Sequence, residues 1–177
     1  MKSSAAAAAA PAKAATPPAK AAPAQPAKAA EATLPTEVET IALDQGDSKI
    51  PATIDVPKGS TTFNDDATKI RVDWGEGRER GKLFGIQVGK GNEFNLNLEE
   101  TAKMMAESKY STNKILEKTP TLLRWTMQNE GGPVAHNFQM IVDLKGQKWL
   151  CENGTHGGYT EEQSKRQRDA CATLKAK

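Results

Sequence analysis

The sequence predicts an α+β domain, an antiparallel sheet with two packed helices, carried behind a disordered Ala/Pro/Lys tail. Three observations predict it. Apolar and polar residues alternate in short runs from residue 48 onward. Two segments, starting near residues 98 and 160, switch to helical spacing behind their own capping residues. The links between neighbouring runs are of hairpin length, which favours antiparallel pairing because parallel strands need long crossovers.

The tail is set apart by composition. Residues 1–36 hold 17 alanines and 6 prolines, whereas all nine aromatic residues fall between Phe63 and Tyr159. A core therefore begins no earlier than about residue 37, and residues 37–177 are the expected domain. Units such as Pro11–Ala15, Pro18–Ala22 and Pro26–Ala30 recur. Proline at this density removes backbone donors and blocks helix, so an extended coil is the cheapest state. Such a segment reaches about 110 Å when extended and about 30–36 Å on average when flexible, which suits a tether.

Charge divides the same way. Lys2, Lys13, Lys20 and Lys28 against Glu31 give the tail +3, leaving −1 for the rest of a chain whose net charge is +2. A near-neutral domain does not offer the clustered basic face that nucleic acid requires. Four lysines in the tail would neutralise few phosphates, so tether is preferred to nucleic-acid arm. No stretch approaches the ~20 apolar residues that span a bilayer. Met1–Ser4 followed by Ala5–Ala10 and Pro11 is too short and weak for a signal peptide. The expectation is a mature form in which Met1 either follows a removed signal peptide or stands in place of a lipidated Cys.

Within the domain, Ile50, Ala52, Ile54 and Val56 mark a strand over 48–56, with Pro51 and Pro57 at an edge or near its ends. Ile70, Val72 and Trp74 mark 68–74, and Leu83, Phe84, Ile86 and Val88 mark 82–89; the polar Gly75–Gly81 segment joins them as a hairpin. Asn97 with Glu100 caps a helix over about 98–109, its inner side formed by Leu98, Thr101, Ala102, Met105 and Ser108. Strands return at 113–118, 121–128, 136–144 and 147–152. Leu123, Trp125 and Met127 share one face; so do Phe138, Met140, Val142 and Leu144; Lys145-Gly146 turns a tight hairpin. The last helix starts at Thr160, where Gln163 completes a capping box and Glu161 and Glu162 complement the dipole. Its inner face is Gln163, Gln167, Ala170, Cys171 and Leu174.

Two cysteines prove little by number, but their positions matter. Cys151 shares a strand face with Trp149, and Cys171 lies on the apolar side of the helix that must cover a sheet face. A disulfide is expected, in preference to buried free thiols or a zinc pair, since no CxxC or Cys/His spacing accompanies them.

Ile115–Pro120, Leu122–Trp125, His136–Phe138 and Trp149–Glu152, with a Cys on the last long strand and one in the terminal helix, resemble small bacterial periplasmic proteins and lipoproteins of the PsbP/DcrB-like group. The resemblance covers about residues 48–176. It implies an α/β/α sandwich around an antiparallel sheet and a location in the cell envelope. The group is functionally mixed, so it carries over no site residue.

No catalytic set, cofactor or metal site is expected. His136 and His156 lack the partners of HExxH or GxSxG motifs and read as surface histidines. Asp65-Asp66 lacks the alternating ligands of a calcium loop and reads as a turn. Asn153-Gly154-Thr155 matches a glycosylation sequon, which matters only in a eukaryotic secretory pathway. Lys165–Arg168 reads as the solvated helix face. Arg78, Arg80 and Lys82 around the glycines of 75–81 offer an anion cradle, but Glu76 and Glu79 oppose it, and a mixed-charge hairpin tip is preferred. The candidate contact residues are Arg78, Arg80, His156 and Tyr159, on this tip and beside the glycine-rich loop 153–158. The expected function is a non-enzymatic envelope module, periplasmic or tethered to the outer membrane of a bacterium as a lipoprotein. Its expected partner is another envelope protein, with no nucleic acid bound and the membrane met only through an N-terminal lipid. The alternatives are a periplasmic toxin-neutralising immunity protein and, third, a small hydrolase.

Overall fold

The computed structural model describes residues 33–90 and 96–177. The expected tail falls outside the described residues as far as residue 32. From there on, ten strands and two helices form in the order β1 (Val38–Ala42), β2 (Ala52–Pro57), β3 (Thr61–Asp66), β4 (Lys69–Asp73), β5 (Gly85–Gly89), α1 (Leu98–Glu107), β6 (Thr112–Lys118), β7 (Leu122–Gln128), β8 (Val134–Leu144), β9 (Gln147–Asn153), α2 (Glu161–Cys171) and β10 (Lys175–Ala176). The α+β class is as expected, and every strand pair is antiparallel.

The sheet is not single. Seven strands pair in the order β3-β4-β5-β9-β8-β7-β6, and three more form a second sheet, β1-β2-β10. The strand expected over 48–56 thus leaves the main sheet and becomes the centre of the small one. Its prolines explain how it tolerates that place. Pro51 precedes the strand and Pro57 ends it, so neither removes an interior ladder bond. Residues 52, 54 and 56 are buried while their alternates are half-buried, the period-2 signature of a one-faced strand.

The large sheet buries both faces, because its apolar residues alternate in two phases. One phase forms a row across five strands, Ile70, Val88, Cys151, Met140 and Leu122, each paired with the next. With Val72, Phe84, Ile86, Phe138, Leu144 and Trp149 it packs against β2 and against Ala170, Cys171 and Leu174 at the end of α2. The other phase, Leu123, Trp125 and Leu150, packs against Leu98 and Ala102 of α1, flanked by Met105, Ile115, Met127 and Ile141. The two helices therefore cover opposite faces, with the small sheet sharing the α2 side. Leu34 also packs against that core, so the folded part reaches slightly before residue 37.

Both helix starts follow their capping residues. The Asn97 side chain accepts from the Glu100 backbone N–H. Thr160 and Gln163 form the reciprocal box, each side chain bonding the other's backbone N–H. Lys145 and Gly146, both with positive φ, turn β8 into β9. In α2 Lys165 and Arg166 pair with Asp169 and Glu162 on the exposed face, whereas Gln167, read both on the solvated run 165–168 and on the inner face, is buried on the inner face.

Cys151 and Cys171 stand at disulfide distance with Cα atoms 5.9 Å apart and both side chains fully buried. This clamps the end of α2 onto the central row of the large sheet. Replacing both with serine is expected to lower stability by about 3 kcal/mol, the chain-entropy value for a loop of this length, with the cost of burying two hydroxyls added. Equilibrium urea unfolding of the oxidised protein and of the Cys151→Ser/Cys171→Ser variant checks this.

Candidate functional site

At one end of the large sheet, the end of β4 and the start of β5 meet the loop that leaves β9. Strand alternation sets the polar groups there. Arg71 and Asp73 share the face opposite Ile70 and Val72, and the Arg71 Nε donates to the Asp73 Oδ2 at 2.9 Å. The Asp73 side chain is fully buried, and its other oxygen, Oδ1, has no hydrogen-bond partner among the described residues. His156 Nε2 lies 3.8 Å from Oδ2. The guanidinium carbons of Arg71 and Arg80 stand 5.0 and 4.7 Å from the centroid of the Phe63 ring. Phe63 is the cross-strand neighbour of Arg71, so the cation–π pair also secures edge strand β3.

Two loops are locked together around this cluster. The segment Gly75–Gly81 contains a single 3-10 turn at Gly77–Glu79 and closes with Gly81 N–H donating to the Trp74 carbonyl. The second loop, after Asn153, sends the Tyr159 hydroxyl to the Gly81 carbonyl at 2.7 Å and the Gly154 N–H to the Gly85 carbonyl at 2.7 Å. Close approach is possible only because side chains are missing. A Cβ on Gly81 would meet the His156 ring at 2.2 Å, and one on Gly154 would meet the Gly85 backbone at 2.9 Å. On the far side of the loop the Tyr159 carbonyl accepts from His136 N–H at the start of β8. Asn153 is held in turn: its Oδ1 accepts from Phe138 N–H at 2.6 Å and its Nδ2 donates to Gln167 on α2.

The structure therefore gathers three of the four candidate contact residues, Arg80, His156 and Tyr159, around Asp73. Their roles differ. Tyr159 is fully buried and acts as a strut between the loops, so it is not available as a contact. Arg80 is half-buried, Arg78 is exposed on the 3-10 turn, and the His156 side chain is 39% exposed. Lys82 does not join an anion cradle, because its ammonium is paired with Glu79 at 2.9 Å. His136 lies within β8, separate from the cluster in role if not in backbone bonding. The side chains of Asp65 and Asp66 lie outside the described residues; among those described, no group of three His, Cys, Asp or Glu residues is placed to hold a metal. Sequence reasoning missed Asp73 and Arg71. Their i, i+2 spacing on a strand with Ile70 and Val72 was the available signal.

Burial governs the charges. Loss of solvent raises the Asp73 carboxyl above its ordinary 3.8, against the pull of Arg71, His156 and Arg80. It raises the Tyr159 hydroxyl too, with the Asp73 charge adding to the effect. Further along the same face, Glu152 of β9 is raised above 4.5 by burial, opposed by the hydrogen bond from Gln139 and by the charge of Lys69.

Comparison with known proteins adds no relative: no protein-family model, curated protein or solved structure matches the chain.

Two predictions follow from these geometries. Tyr159→Phe leaves the buried Gly81 carbonyl without its donor and is expected to cost about 1–3 kcal/mol in urea unfolding. For Glu152, a raised folded pKa means that the native state holds the proton more tightly than the unfolded chain. Its contribution is therefore favourable at low pH and is lost as pH rises from about 4.5 through the folded value. The stability of Glu152→Gln relative to the parent is expected to increase across that window and then level off. Thermal unfolding of both proteins between pH 4 and pH 8 would contradict this if the difference stayed flat.

Proposed function

We propose that this chain is a non-enzymatic binding module of the bacterial cell envelope, held on its Ala/Pro/Lys tether and recognising another envelope protein through the paired loops 75–81 and 153–158. The supporting observation is the placement of the cysteine pair. Cys151 and Cys171 bracket the loop after β9 together with α2, and that loop is bonded to the hairpin tip by Tyr159 and to the start of β5 by Gly154. A crosslink that pins α2 to β9, together with the Tyr159 and Gly154 bonds, holds the loop between them in one shape, and a rigid loop carries less ordering cost on binding. A disulfide between these cysteines also belongs to an oxidising compartment, which supports the extracytoplasmic reading. The helices on opposite faces of an antiparallel sheet suit the PsbP/DcrB-like α/β/α sandwich, and we carry that assignment as part of the same proposal.

The surface presented is of mixed charge. Glu76, Arg78, Glu79 and Lys82 are exposed on the tip, and His156 stands beside them. Such a surface selects a partner by complementary charge rather than by apolar burial. No helix among the described residues is long and apolar enough to cross a membrane, so any membrane attachment in this reading lies in the N-terminal region.

The feature that the hydrolase alternative draws on is His156 near the buried Asp73 carboxylate, although the 3.8 Å contact is beyond hydrogen-bond distance and is made by Nε2, the nitrogen a triad turns toward its nucleophile. The two readings separate cleanly. Intact mass of the native protein from the envelope fraction, with and without reductant, is expected to differ by two hydrogens. A photo-crosslinker at position 78 is expected to capture one envelope protein, and Arg78→Glu to reduce chemical crosslinking to it severalfold without changing the unfolding temperature. Two free thiols, or ester hydrolysis that disappears in His156→Ala, would overturn the proposal.

A further inference from the structure

On the Gly75–Gly81 tip, which the envelope reading also uses, lies an open pocket of about 700 Å³. Trp74, Gly59, Gly75, Gly77, Glu76 and Arg80 contribute to its lining. The indole is fixed in place. It is half-buried, packs against the main core, and donates from Nε1 to the Lys58 carbonyl at 3.1 Å. With its N–H already satisfied, what Trp74 offers to the pocket is apolar ring surface.

Glycine backbone, Thr61 and Leu83 complete the lining around that ring. A Cβ on Gly59 would stand 3.8 Å from the Trp74 Nε1, and one on Gly77 would have no atom within 4 Å. Gly59 thus adds no side chain beside the indole Nε1, and Gly75 and Gly77 add none to the pocket wall. Charges of both signs stand at the edge. Arg80 has its Nε buried without a hydrogen-bond partner among the described residues and its guanidinium over Phe63, whereas Glu76 is exposed. Glu79 is already paired with Lys82.

These features discriminate between ligand classes. An inorganic anion or a carboxylate would suit Arg80 but be repelled by Glu76 and Glu79. A wholly apolar ligand would cover the indole and desolvate the two charges without pairing them. A hydroxyl both donates and accepts, so adjacent hydroxyls can accept from Arg80 and donate to Glu76 at once. A ring carrying such hydroxyls on its rim and C–H bonds on its face satisfies the whole lining. We propose that this pocket binds a pyranose ring of a neutral carbohydrate, with Trp74 as the stacking platform and Glu76 and Arg80 as the hydroxyl partners. The inference goes beyond the envelope module and does not depend on it, because the pocket has the same chemistry in any compartment.

The test is a titration of the full chain with tetra-N-acetylchitotetraose and with cellotetraose to millimolar concentration, followed by calorimetry and by the Trp74 indole N–H resonance. Saturable binding of at least one oligosaccharide that moves this resonance is expected. Trp74→Ala is expected to weaken it by about tenfold or more, the scale of a lost aromatic contact. Because Trp74 also packs on the core, Glu76→Ala supplies an independent reading: its side chain is exposed, folding is unaffected, and affinity is expected to fall severalfold. Absence of saturable binding by either oligosaccharide, binding that neither variant weakens, or a Trp74 response to sodium sulfate in their place would overturn the proposal. None of these outcomes bears on the cysteine mass or the Arg78 crosslinks, so the two proposals fail separately.

Discussion

The contact on which this fold depends is the one between the end of α2 and the centre of the large sheet, where Cys171 meets Cys151. Cys151 sits in the middle of a five-residue apolar row that crosses β4, β5, β9, β8 and β7. Anchoring a helix at that point has consequences in both chain directions. Downstream, the last residues leave the helix only far enough from the anchor to pair with β2, and Lys177 N–H donates to the Pro51 carbonyl. The small sheet is therefore completed by the C-terminus that the helix delivers. Upstream, the segment from Asn153 to Thr160 runs from β9 into α2 over the sheet end, where Tyr159 ties it to the Gly75–Gly81 hairpin and Gly154 to the start of β5.

The polar cluster at that end is a by-product of strand alternation as much as of selection for a site. A strand that buries Ile70 and Val72 on one face must place Arg71 and Asp73 on the other. Asp73 then loses its water, and the fold answers with Arg71 as a direct partner and with Arg80 and His156 nearby. That answer is incomplete, since Oδ1 has no hydrogen bond among the described residues and burial raises the carboxyl's pKa. A buried acid of this kind costs stability near neutral pH, and its retention makes sense if the loops that bury it are held for recognition.

Much of the architecture was legible from the amino-acid order because strong signals coincide there. In β7 and β8 aliphatic and aromatic residues alternate over long strands, and in both helices capping residues mark the start. The cysteine pair was legible for the same reason, since each cysteine sits on a face that periodicity assigns to the interior. The small sheet was harder. β1, Val-Glu-Thr-Ile-Ala, spaces its aliphatic residues three apart and buries none of them fully, and β10 has only two residues. β3 has a lone aromatic among polar residues, and it is held by cation–π contacts that no hydrophobic pattern reports. Elements fixed by long-range pairing leave little trace in local sequence.

The same distinction applies to the site. Arg78, Arg80 and His156 attracted attention as polar residues beside glycines, but what makes their surroundings a site is the mutual locking of two loops separated by about 70 residues in the chain. Glycine was the visible half of that locking. Each close approach needs a position without a side chain, and Gly81 and Gly154 supply it where the His156 ring and the Gly85 backbone press in. The invisible half is Tyr159, whose hydroxyl reaches a carbonyl on the distant hairpin. An aromatic residue beside a glycine-rich loop suggests a contact for a partner, yet the same side chain turned inward is what gives the loop its shape. Rigidity at this end of the sheet thus comes from buried groups, while the charges around them stay at the surface.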